Sequence, residues 1–180
     1  MVKYLSFIML FLLCNITALA EEVQKFEGEV SVGFTVPLAD YYDGDKILGP
    51  DFGLELRYNI PRTRWDCGLA LDVSTAVYQY DAGCDQSNRS INLMAVGDYN
   101  LKQGSKFNPY AGMGMGVSFY DAVNVVTYKD SGTAFVFRPR VGIEMFRHLR
   151  IEAFFTVTKT GYSNFGLSIG GVIGGRPKKK

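Results

Sequence analysis

The sequence predicts an all-β chain, folded as an eight-stranded antiparallel up-and-down transmembrane β-barrel, and three observations carry that expectation. An export-type leader opens the chain. Beyond it, eight stretches alternate apolar residues with small or polar ones at a period of two, the mark of a strand, because successive side chains point to opposite faces. Nothing beyond the leader holds 18 consecutive apolar residues, so no later segment suits a bilayer-spanning helix.

The leader, MVKYLSFIMLFLLCNITALAEE, places Lys3 before an apolar run over residues 5–14 and a small-residue Ala18-Leu19-Ala20 site before two glutamates. That is the layout of a secretory signal peptide, with cleavage expected after Ala20. The run is short for a spanning helix of about 20 residues, and Leu13 before Cys14 is not the small residue that lipoprotein processing favours. Residues 1–20 are therefore assigned to a signal peptide, 21–175 to one barrel domain and 176–180, RPKKK, to a basic tail. The chain has 19 Lys and Arg against 18 Asp and Glu. Loss of Lys3 leaves the mature protein formally neutral, without the basic excess of a nucleic-acid binder.

The first strand, residues 26–36, sets Phe26, Gly28, Val30, Val32, Phe34 and Val36 against Glu27, Glu29, Ser31, Gly33 and Thr35. A loop rich in Asp, Tyr and Gly follows, over 37–51. The second strand, 52–60, sets Phe52, Leu54, Leu56, Tyr58 and Ile60 against Gly53, Glu55, Arg57 and Asn59, and a short polar turn leads to the third. That third strand, 65–80, is the longest: Trp65, Cys67, Leu69, Leu71, Val73, Thr75 and Val77 oppose Asp66, Gly68, Ala70, Asp72, Ser74 and Ala76. Its length exceeds the roughly 9–11 residues needed to cross hydrocarbon.

A loop at 81–88 precedes the fourth strand, 89–101, and the fifth, 109–120, alternates Ala111, Met113, Met115, Val117 and Phe119 with Tyr110, Gly112, Gly114, Gly116 and Ser118. The glycines of Gly112-Met113-Gly114-Met115-Gly116 recur every second residue, as on one strand face. A phosphate-cradling loop would need a helix after it. A loop at 121–132 leads to the sixth strand, 133–145, where Pro139 removes a ladder hydrogen bond and predicts a bulge or shifted ends. The seventh covers 149–158 and the eighth 165–173. Connections after the first, third and fifth strands are generally longer than those after the second, fourth and sixth. With both termini at one end, that places short turns in the periplasm and longer loops outside.

Alternation alone does not say which face is inside; the small face does. An eight-stranded barrel is only wide enough for side chains to fill, and this face combines many Gly, Ala and Ser residues with Glu29, Glu55, Arg57, Asp72, Asp98, Arg138, Arg140, Glu144, Arg150 and Glu152. Both signs are present, so a lumen charge network of arginines and carboxylates is expected there, because buried charge must be paired. The other face carries almost no charge over its central positions, as a lipid-facing wall requires. Phe52, Tyr58, Trp65, Tyr99, Phe119 and Phe165 are candidates for interfacial girdles. The alternative is a soluble periplasmic barrel, lipocalin-like, holding a small apolar ligand; it needs the apolar rows to face inward.

Cys67 and Cys84 survive cleavage, but a strand between them separates them by about 40–50 Å at 3.3 Å per residue, against the roughly 7 Å a disulfide allows. No bridge is expected. Asn88-Arg89-Ser90 matches a glycosylation acceptor, a short and common pattern. No catalytic, cofactor or metal site is predicted. The mature chain's one histidine, His148, falls in the turn between the sixth and seventh strands, and no metal-ligand spacing occurs. The chain is expected not to be an enzyme.

The leader, the eight amphipathic strands and the segments FGLELRYNI, WDCGLALDVSTAVYQY and NPYAGMGMGVSFYDA together resemble the OmpX/OmpA-type small eight-stranded outer-membrane β-barrels, over essentially the whole mature chain. One departure is the end: many such barrels finish on an aromatic residue, whereas this chain finishes RPKKK. The resemblance implies residence in the bacterial outer membrane and contact with its lipid. It also implies a monomer with a structural or surface role, adhesion or envelope integrity, through loops that meet host or envelope components. Tyr41, Tyr42 and Tyr128 are the loop residues suited to such contacts.

Overall fold

A computed structural model describes residues 25–39, 45–61, 63–80, 84–102, 106–123 and 130–174. Among these, nine strand segments occur: β1 (Phe26–Pro37), β2 (Asp45–Ile47), β3 (Gly49–Asn59), β4 (Trp65–Tyr80), β5 (Cys84–Asn100), β6 (Phe107–Val123), β7 (Ser131–Met145), β8 (Leu149–Thr156) and β9 (Asn164–Gly174). All pairings are antiparallel. The wall runs β4-β3-β1-β9-β8-β7-β6-β5 and returns to β4, so the sheet closes on itself. Closure satisfies every edge, the condition for strands to span lipid.

The nine segments make eight staves because β2 and β3 are two pieces of one. Ile47 lies opposite Val77 and Asp51 opposite Ser74, four residues against three, which is a one-residue bulge. The Thr35 hydroxyl donates to the Thr75 carbonyl across it, at 2.6 Å. Gly49 is required there, since a Cβ would overlap that same carbonyl.

The apolar rows face outward. Leu56 is 71% exposed, Phe135 65% and Leu69 62%, which excludes the soluble, lipocalin-like alternative. On β6 the exposed row extends from Phe107 to Phe119. Twelve steps at about 3.3 Å, tilted by about 40°, span roughly 30 Å along the barrel axis, the thickness of a hydrocarbon layer. Aromatic pairs border that belt. Phe26–Tyr58, Trp65–Tyr99 and Phe107–Phe146 meet at the end holding both termini, with ring centroids 5.2, 5.0 and 5.5 Å apart, and Phe155–Phe165 at the other, 5.0 Å apart. Cys67 is a free, exposed thiol on the outer wall.

Several boundaries differ from expectation. β4 has the predicted ends, but β5 starts at Cys84, so residues 84–88 of the predicted 81–88 loop are strand. β6 runs to Val123 and β7 begins at Ser131, shortening the predicted 121–132 loop, while β2 and the start of β3 occupy part of 37–51. The outer end is therefore built largely from strands that continue above the belt. Pro139 makes no bulge: it sits opposite Met113 in an unbroken β6–β7 ladder. Its cost falls on the other side, where the β7–β8 ladder stops at Arg140–Phe154 and resumes only as the bridge Phe137–Val157.

Candidate functional site

The lumen is the chemically richest part of the molecule, and the strand pleat builds it. Every second residue of each stave points in, and the small ones sit opposite the large ones across strand pairs: Gly166 faces Phe154, Gly142 faces Tyr110, Gly112 faces Asp98 and Gly68 faces Arg57. A Cβ on Gly166 would strike the Phe154 ring, and one on Gly142 the Tyr110 hydroxyl. The missing side chains are the space that the network occupies.

Nine carboxylates, of Glu27, Glu29, Asp51, Glu55, Asp66, Asp72, Asp98, Glu144 and Glu152, face this interior with four guanidiniums, of Arg57, Arg138, Arg140 and Arg150. Asp98, fully buried, is the hub: it accepts from Arg140 Nε and Nη2, both at 2.8 Å, and from Arg150 Nη2 at 2.9 Å. Arg140 also donates to both oxygens of Glu55. Arg57 bridges Glu27 and Glu29 at 3.2 Å each and reaches Glu55 at 3.6 Å. A second group joins Arg138 to Asp72 at 2.6 Å and Asp51 at 3.7 Å, with Asn92 donating to Asp72 at 2.8 Å. Tyr110 donates to Glu152 at 2.8 Å. The Arg150 and Arg138 guanidiniums lie 3.7 and 4.0 Å from the Tyr110 and Phe154 ring centroids, where the ring quadrupole attracts a cation.

Nine of the ten charged residues expected on the small face, Glu29, Glu55, Arg57, Asp72, Asp98, Arg138, Arg140, Arg150 and Glu152, enter ion pairs. Glu144 faces inward at the lower end but joins no ion pair among the described residues. Three carboxylates of the interior lay outside that assignment. Glu27 and Asp66 stood on the polar rows, and their neighbours Asn59 and Asn100, which donate to them at 2.6 and 2.8 Å, were the signal. Asp51 ends the predicted 37–51 loop but belongs to β3. The interior also holds a small apolar cluster of Ala70, Met94, Val96 and Val136.

The lumen is filled. A cavity of about 20 Å³ lies among Glu29, Asp51, Asp72, Arg138 and Arg140, room for about one water molecule. Above it, the β8–β9 turn folds over the mouth. Gly161, at φ 85° in the left-handed region that favours glycine, presents its carbonyl to Tyr78 Oη at 3.2 Å and Asn88 Nδ2 at 2.8 Å. Tyr162 is fully buried against the Tyr120 ring, 4.8 Å away. Asn88, buried in this layer, is closed to glycosylation. At the rim of the mouth Lys159 bonds Asp130 and the Tyr120 hydroxyl, which hold its ammonium above the ordinary lysine range.

No group of three or more His, Cys, Asp or Glu side chains suited to a metal ion occurs among the described residues. His148 is exposed in the β7–β8 turn, its Nδ1 3.1 Å from the Val172 carbonyl. Tyr41, Tyr42 and Tyr128 lie outside the described residues.

The same barrel recurs in solved structures of low sequence identity. Neisserial surface protein A (NspA) aligns at 15% identity over 85% of this chain and 99% of its own, with a TM-score of 0.58. Ail, the attachment invasion locus protein of Yersinia pestis, aligns at 14% over 83% and 97%, and the outer membrane enzyme PagL at 14% over 82% and 99%, each with a TM-score of 0.50. The comparison with curated proteins returns no match. The model of the outer membrane protein beta-barrel domain matches residues 6–171. A closed wall with its apolar rows outward and a match over most of its length place this chain in the outer membrane protein beta-barrel domain family, as a protein of the bacterial outer membrane.

Proposed function

We propose that this protein works at the cell surface, through the strands and connections of its outer end, and that its barrel is a sealed, non-enzymatic anchor. The observation that carries this reading is the filled lumen: arginine–carboxylate pairs span it, and Tyr78, Asn88 and the β8–β9 turn cover its mouth. Among the described residues the interior cavity at Glu29, Asp51, Asp72, Arg138 and Arg140 is about 20 Å³, room for about one water molecule. The fold alone admits an attachment protein such as Ail or an enzyme such as PagL. The histidine available for base chemistry sits exposed in a periplasmic turn, its Nδ1 against a backbone carbonyl.

The test is display in a heterologous diderm host. Cells carrying the wild type should adhere to cultured epithelial cells or matrix-coated wells, and replacing residues 40–44 and 124–129 with Gly-Ser linkers should abolish adherence while the barrel stays folded. Unchanged adherence would remove the surface-contact reading. Sensitivity to detergent on loss of the protein would instead assign it to envelope integrity.

A further inference from the structure

The periplasmic rim carries a ring of cations directly below the lower aromatic girdle. Lys25 precedes Phe26, Arg64 precedes Trp65, Lys106 precedes Phe107, Arg147 follows Phe146, and Lys102 lies two residues after Asn100, the end of β5. Lys25, Arg64, Lys102 and Lys106 are exposed and Arg147 is half-exposed. None of the five joins an ion pair among the described residues. Two cations of the outer end differ: Arg89 pairs with Asp121 at 3.0 Å and Lys159 with Asp130 at 2.9 Å. Among the described residues, the nearby carboxylates of the lower end, Glu27, Asp66 and Glu144, point into the lumen.

The ring is held in shape by the turns themselves. Asn59 N–H donates to the Lys25 carbonyl at 2.8 Å, Asn100 N–H to Arg64 at 2.8 Å and Phe146 N–H to Lys106 at 2.8 Å. Asn108 ties the next pair, accepting from Lys102 N–H at 3.1 Å and donating to Asn100 Oδ1 at 2.7 Å. Girdle aromatics mark the headgroup depth of a leaflet. A cation one residue below such an aromatic lies at the level of the phosphodiesters.

From this we infer that the periplasmic rim is a binding surface for anionic phospholipid headgroups of the inner leaflet of the outer membrane. The barrel thereby gathers a shell of negatively charged lipid on its periplasmic side.

Trp65 is the protein's one tryptophan, lies in the girdle beside Arg64, and serves as the reporter. The mature barrel is reconstituted in phosphatidylcholine vesicles containing either brominated phosphatidylglycerol or brominated phosphatidylcholine, and Trp65 quenching gives the relative association of each. Brominated phosphatidylglycerol should associate about three- to fivefold more strongly, less so at high salt. The exposed variant K25Q/R64Q/K102Q/K106Q, checked for folding by heat-modifiable gel mobility, should bring the ratio to about one. R89Q/K159Q should keep it.

Equal quenching by both lipids in the wild type, or a preference that survives in the rim-neutral variant, would overturn the inference. Loss of the preference on adding sodium phosphate, but not sodium chloride of equal ionic strength, would also overturn it, because the rim would then be a free-anion site. Equal quenching together with rim-dependent retention on purified cell-wall sacculi would reassign the surface to the wall polymer.

Discussion

Replacing Arg140 with alanine should cost about 4 kcal/mol of folding stability, a figure that follows from what the side chain holds. It gives four charge-assisted hydrogen bonds, two to Asp98 and two to Glu55. At about 1.5 kcal/mol each these contribute about 6. Asp98 keeps Arg150 at 2.9 Å and Arg57 at 3.9 Å, and Glu55 keeps Arg57 at 3.6 Å and Arg150 at 4.0 Å. Those survivors recover about 2 kcal/mol, leaving a loss within the range of about 3–5 for a broken buried pair.

The companion variant R140M/D98N/E55Q removes the cation together with the two carboxylates it compensates. It should lose less than R140A, because no carboxylate is left short of its cation, while Arg150 keeps Glu29 and Arg57 keeps Glu27 and Glu29. Urea titration in phosphatidylcholine vesicles, followed by Trp65 fluorescence, measures both. A loss below about 1 kcal/mol for R140A, or a triple variant as unstable as the single one, would refute the view that compensation of buried charge sets the stability of this lumen.

G166V should prevent folding or cost at least about 3 kcal/mol by driving a side chain into the Phe154 ring, and F154A should partly rescue it; independent, additive losses in the same titration would contradict that contact. L71R, on the lipid face of β4, should cost roughly 2–4 kcal/mol in a bilayer, and no loss in refolding yield into vesicles would argue against a lipid-facing Leu71. Arg147 holds a left-handed φ of 68°, so R147G should raise stability by about 1 kcal/mol in neutral lipid, read from the urea midpoint; a lower midpoint would show the turn to be unstrained.

The staves were legible where one side of a strand meets lipid. β4 has its predicted ends because its outer row stays apolar from Trp65 to Val77 while its inner row is small or acidic. The same strands become unreadable above the belt. In β5, Gln86 and Asn88 face the interior while Ser87 and Arg89 face water, so both rows are polar and the period-two signal vanishes although the ladder to β4 continues. Polarity there looked like a loop. The network's members were legible as charges on the small face, but not their partners: Arg140 and Glu55 are 85 residues apart, and only the closed wall brings them together. Pro139 showed the reverse limit, since one missing donor could be traced in the sequence but not the neighbour that would lose it.

The seam between β1 and β9 joins the first strand to the last over eleven residue pairs, from Glu27–Gly174 to Pro37–Asn164. A wall sewn in that way has no half-built form with its backbone satisfied, because any chain lacking β9 leaves two staves facing hydrocarbon with open hydrogen-bonding edges. The salt links of Arg150 with Glu29 of β1 also wait on that last strand to close the ring. Assembly is therefore an all-or-none event that waits for the C-terminal stave, as expected of a topology dominated by distant pairings. A nascent barrel stalled before β9 would be a sheet with two sticky sides rather than a smaller barrel.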